Sequence, residues 1–84
     1  MKKFLVMIQR KPSFTGESIQ GHREFLKSQK ETDNLFLAGG FEDASGGAYV
    51  LQANSLEEAS NMLKNDPMYQ ENKSVYTIKQ WNIN

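Results

Sequence analysis

Leu35-Phe36-Leu37-Ala38-Gly39-Gly40-Phe41, then Glu42-Asp43-Ala44-Ser45-Gly46, then Gly47-Ala48-Tyr49-Val50-Leu51-Gln52-Ala53: at mid-chain, two apolar runs of strand length flank a short polar turn. Runs bounded in this way by Gly, Asp and Ser read as strands, and so short a link between them reads as a hairpin. The first strand loosens at Gly39-Gly40, which predicts either a β-bulge or backbone left clear for a ligand. The second carries Tyr49 and Leu51 on one side and Val50 on the other.

Outward from the hairpin, each side adds one helix and one strand. Upstream, from about Glu17 to Asp33, Ile19, His22, Phe25, Leu26 and Gln29 recur at helical spacing on one face. Gly21 weakens the first turns of that helix by about 1 kcal/mol relative to alanine, and Asn34 is placed to end it in the left-handed conformation. Arg10 to Gly16, with Pro12, is a loop, and Lys3 to Gln9 is an opening strand with Phe4, Val6 and Ile8 on one face and Leu5 and Met7 on the other. Downstream, Ser55-Leu56-Glu57-Glu58 is a capping box. It starts a helix whose buried stripe is Leu56, Ala59, Met62 and Leu63. Pro67 stops this helix by disfavouring the helical conformation at Asp66. Met68 to Lys73 is a loop, and Ser74 to about Ile83 a final strand with Val75, Thr77 and Trp81 opposite Tyr76 and Ile78.

The order β-α-β-β-α-β makes an α+β, ferredoxin-like fold. Right-handed crossovers place both helices on one face of a four-stranded antiparallel sheet. The helices leave the other face bare although the strands are apolar on both sides, and a second copy of the chain is the expected cover, giving a homodimer.

Composition narrows the function classes. The 84 residues are a single domain, 38% hydrophobic, with no cysteine. A chain this short buries only about 60% of its unfolded surface, a further reason to expect oligomerisation. Ten basic residues balance ten acidic ones, without the basic footprint needed for nucleic acid or for an anionic membrane. The apolar run after Lys2-Lys3 ends at Ile8, too early for a signal peptide, so a cytoplasmic location is expected. One histidine and no cysteine argue against a zinc site, and the glycine pairs lack the phosphate-loop pattern and its lysine.

What remains is His22 and Asp66. Histidine exchanges protons near neutral pH, and a carboxylate that fixes its tautomer makes it a usable general base. Each also has an ordinary explanation. A histidine on an apolar helical face is commonly a hydrogen-bonded core residue, and aspartate is common where a helix gives way to a turn. Tyr76 and Trp81 read as core, interface or pocket.

The series as a whole resembles the YciI-like proteins of the YCII-related family. The resemblance rests on the apolar first strand, His22 with Phe25-Leu26 behind it, Leu37-Ala38-Gly39-Gly40-Phe41, Gly47-Ala48-Tyr49-Val50, Ser55-Leu56-Glu57-Glu58-Ala59, Asp66-Pro67 and the last strand. It implies protomers paired as a dimeric α+β barrel, with a histidine–aspartate pair in a pocket mapping to His22 and Asp66. It also implies a ligand near Gly39, Gly40 and Tyr69. Gly40 replaces a proline frequent in the family, and Met68 separates Asp66-Pro67 from the aromatic Tyr69.

The resulting expectation is a single YciI-like domain over residues 1–84, acting on a small organic molecule without metal or organic cofactor. It is a lyase- or isomerase-type acid/base enzyme, with His22 moving the proton and Asp66 orienting it. The alternatives are a non-catalytic ligand-binding or regulatory dimer, an interaction protein that uses its open sheet, and a cofactor-free oxygenase.

Overall fold

The computed structural model describes residues 1–83. Its elements are β1 (Lys2–Arg10), α1 (Ile19–Glu31), β2 (Leu35–Gly40), β3 (Gly46–Ala53), α2 (Leu56–Leu63) and β4 (Ser74–Gln80). The strands form one antiparallel sheet in the order β2-β3-β1-β4. The predicted ferredoxin-like α+β fold is thus present. β4 ends three residues earlier than expected: the Trp81 N–H still reaches the Lys3 carbonyl at 2.8 Å, but Ile83 turns back onto Trp81.

Strand register sorts the side chains. Val6 lies opposite Tyr49 and Ile78, and Phe4 opposite Leu51, so these residues share one face. Onto that face α1 presses Phe25, and α2 presses Ala59 and Leu63, which puts both helices on the same side of the sheet. Leu56, expected in the buried stripe of α2, is instead half exposed, because it precedes the turn that reaches the sheet. On the opposite face Val50, in register with Leu5 and Leu37, is buried, whereas Met7, Leu37 and Val75 remain open. Among the described residues no helix is long and apolar enough to cross a membrane.

Two local features differ from their sequence reading. Asp33 (φ 61°), not Asn34, takes the left-handed position after α1. The Asn34 N–H then reaches the Gln29 carbonyl at 2.8 Å and the Asp33 N–H that of Lys30 at 3.1 Å, the paired bonds of a Schellman end. The irregularity of β2 falls between Leu35 and Leu37, while Gly39 and Gly40 pair regularly with Ala48 and Gly47.

At the start of α2, the Ser55 hydroxyl accepts the Glu58 N–H at 3.1 Å. The return bond from the Glu58 carboxylate is not formed among the described residues, so half of the capping box is in place. Ser55→Ala should cost about 0.5–2 kcal/mol in urea denaturation. It should leave ligand affinity unchanged, because α2 separates Ser55 from Asp66.

Candidate functional site

The chain leaves α2 through Lys64 and turns back at once, with the Asp66 N–H bonded to the Leu63 carbonyl at 2.9 Å. Pro67 follows, and the Met68 N–H donates to Asp66 Oδ1 at 3.0 Å, an Asx turn that draws the carboxylate inward. The Asp66 side chain has no exposed surface.

His22, on the first turns of α1, meets it there. Its Nδ1 lies 2.9 Å from both Asp66 oxygens. A carboxylate only accepts, so Nδ1 carries the proton and Nε2 is left as the basic nitrogen. Two further donors converge on Asp66 Oδ2: the hydroxyls of Tyr49 at 3.1 Å and Tyr76 at 2.8 Å. Asp66 therefore accepts from two strands, a helix and its own turn. Burial, and next the negative charge of Asp66, push the ionisation of both tyrosines well above the ordinary phenol range, so they remain donors.

Gly21 makes the meeting of α1 and the turn possible. A Cβ there would stand 2.9 Å from Pro67 Cγ and 3.2 Å from Pro67 Cβ. The glycine that weakens the helix is the one that admits the proline, and so sets His22 against Asp66.

Beside the pair opens a cavity of about 280 Å³. Ile19, His22, Arg23 and Leu26 line it from α1, Ile8 and Arg10 from β1, and Met68 from the loop. Its floor includes Gly39-Gly40 and Gly46-Gly47. His22 lines the cavity and Asp66 does not, so the imidazole is held from the side of the carboxylate and borders the cavity. The structure thus brings His22, Asp66, Gly39 and Gly40 together. Tyr69 is not among the lining residues: it packs edge-to-face on Tyr76 with ring centroids 4.9 Å apart, and Met68 takes the place at the wall. Trp81 also lies off the cavity.

Sequence reasoning missed the hydrogen bonds of Tyr49 and Tyr76 to Asp66 and the place of Arg10 and Arg23 in the cavity lining. A tyrosine on the helix-covered face needs a partner for its hydroxyl, and that was the available signal for the two tyrosines. Among the described residues no group of three or more His, Cys, Asp or Glu side chains could hold a metal ion.

The YCII-related domain matches residues 2–82. The uncharacterized protein YjpA of Bacillus subtilis (strain 168) is 40% identical over 83 residues, covering 99% of this chain and 98% of that one. Among solved structures, the chain is similar to 5-chloro-2-hydroxyhydroquinone dehydrochlorinase (TftG) from Burkholderia phenoliruptrix AC1100, in complex with 2,5-dihydroxybenzoquinone. The TM-score is 0.74 over 95% of this chain and 93% of that one, at 18% identity, a likeness of fold.

Gly21→Ala tests the close approach. Helix propensity alone would add about 1 kcal/mol of stability, but the new methyl overpacks Pro67, which costs about 1–3 kcal/mol. The expected outcome is a net loss in thermal denaturation together with a changed His22 ring resonance in NMR.

Proposed function

The chain belongs to the YCII-related family, and from that premise we propose that it is a small-molecule enzyme in which His22 and Asp66 perform acid/base chemistry. The observation that carries this reading is a histidine whose Nδ1 is held by a buried carboxylate while its other edge borders a cavity. His22 Nε2 takes a proton from the ligand, and Asp66 stabilises the imidazolium so formed. Returning the proton at a second ligand atom gives an isomerisation, and loss of a leaving group gives an elimination. The similar solved structure is by its name a dehydrochlorinase, and loss of HCl is an elimination; this supports the class of reaction by analogy of fold.

A thermal-shift screen of a metabolite library on wild type and His22→Ala, followed by NMR detection of turnover, tests the proposal. On a substrate so found, His22→Asn and Asp66→Asn should each lower kcat/KM by about 10²–10⁴. The double variant should be no worse than the poorer single one, because the pair acts as a unit. Asp66→Asn should also be the less stable variant, since it places an amide NH₂ among donors. Turnover that survives in His22→Asn would refute the acid/base role, and ligand binding without His22-dependent turnover would make the chain a binding module.

The same reading assigns a second copy of the chain to the open sheet face. Met7, Leu37 and Val75 are 44%, 54% and 45% exposed there, around the buried Val50. Light scattering at micromolar concentration should give twice the 9.6 kDa chain mass, and Leu37→Glu should shift the protein toward monomer. A monomer at every concentration would overturn the assignment.

A further inference from the structure

The charge of the cavity is one-sided. Arg10 and Arg23 both line it together with His22, and among the described residues no acidic side chain does. Nor has either arginine a carboxylate partner among the described residues, where His22–Asp66 is the ion pair formed. Asp66, the carboxylate paired with His22, does not line the cavity and already accepts four donors.

Arg10 is held in place without being neutralised. Its guanidinium carbon sits 4.5 Å from the centroid of the Phe14 ring, its Nη1 donates to the Ala44 carbonyl at 3.3 Å, and its backbone N–H to that of Ser45 at 2.8 Å. Its Nε is buried with no protein partner. A positioned guanidinium with spare donors suits the planar fork of a carboxylate. The lining from Ile8, Ile19, Leu26 and Met68 is apolar and suits a hydrocarbon body.

We propose that the cavity binds a small organic acid as its anion, with the carboxylate toward Arg10 and Arg23 and an apolar body against Ile8, Ile19, Leu26 and Met68. This deepens the proposed function by naming its substrate class and rests on the same site, though not on its chemistry. Arg10 is the main anchor, because its plane is fixed by Phe14 and the β2–β3 turn. Arg23, on the exposed side of α1, adds charge at the mouth.

An NMR titration of ¹⁵N-labelled protein with sodium benzoate, benzamide and sodium acetate at constant ionic strength tests this. Benzoate should shift the amides of Gly39, Gly40, Gly46 and Gly47. It should bind about tenfold or more tighter than benzamide, which lacks the charge, and than acetate, which lacks the ring. Arg10→Gln should remove the preference over benzamide, and Arg23→Gln, a surface change that leaves the core intact, should reduce it. Benzoate bound no better than benzamide, shifts at other residues or none, or a preference surviving in both variants would overturn the proposal. A benzoate preference without His22-dependent turnover of any compound would end the acid/base reading and leave this one standing, and turnover without the preference would do the reverse.

Discussion

A carboxylate cut off from water must be held by donors, and the arrangement around Asp66 follows from that need. Desolvating such a charge costs several kcal/mol unless hydrogen bonds replace the lost water. Here the replacements come from α1, β3, β4 and the Asx turn. One side chain thus ties together segments between residues 22 and 76 of the chain. Moving any of those elements would leave a buried charge short of a donor, so the packing of α1, the course of the loop after α2 and the positions of Tyr49 and Tyr76 are interdependent.

The same bonds orient the imidazole. Because Asp66 accepts from Nδ1, the tautomer of a neutral His22 is decided, and Nε2 carries the lone pair. Tyr49 also lies beside the imidazole, with ring centroids 6.0 Å apart, so the histidine is braced by its partner and by a neighbouring ring. One network thus fixes both the packing around Asp66 and the orientation of His22. Asp66 belongs to both, whereas Ser55, at the far end of α2, belongs to neither.

The order of elements was legible because each carries a local signal: alternating apolar runs, a Ser55 cap, Pro67 after α2. His22 and Asp66 were legible as types, one the lone histidine and the other the residue before proline. Their contact was not, since it depends on Gly21 admitting Pro67, a fit between segments some forty-five residues apart. Tyr49 and Tyr76 were hidden for a related reason. They sit on different strands and become near neighbours only once β1 is inserted between β3 and β4, Val6 opposite Tyr49 and Ile8 opposite Tyr76. The shift from Asn34 to Asp33 and the exposure of Leu56 are smaller cases, in which residue preference gave the neighbourhood but tertiary packing chose the residue.

The glycines around the cavity show how fold and function divide a common residue type. A Cβ on Gly46 would stand 1.9 Å from the Ile8 carbonyl oxygen, and one on Gly47 would stand 2.5 Å from that of Gly39. Both must therefore be bare for the strands to pair at all. Gly40 would meet only the Gly46 carbonyl oxygen, at 3.8 Å, and Gly39 nothing within 4 Å. Neither has the positive φ that favours glycine. Strand packing accounts for the first pair and leaves the second unexplained. A glycine in an edge strand weakens it without helping it pack, so the reason for Gly39 and Gly40 is best sought in what lies against them. Both border the cavity beside His22, Gly40 on the helix-covered face with Gly47 and Ile8, and Gly39, in register with Ala48 and Met7, on the other.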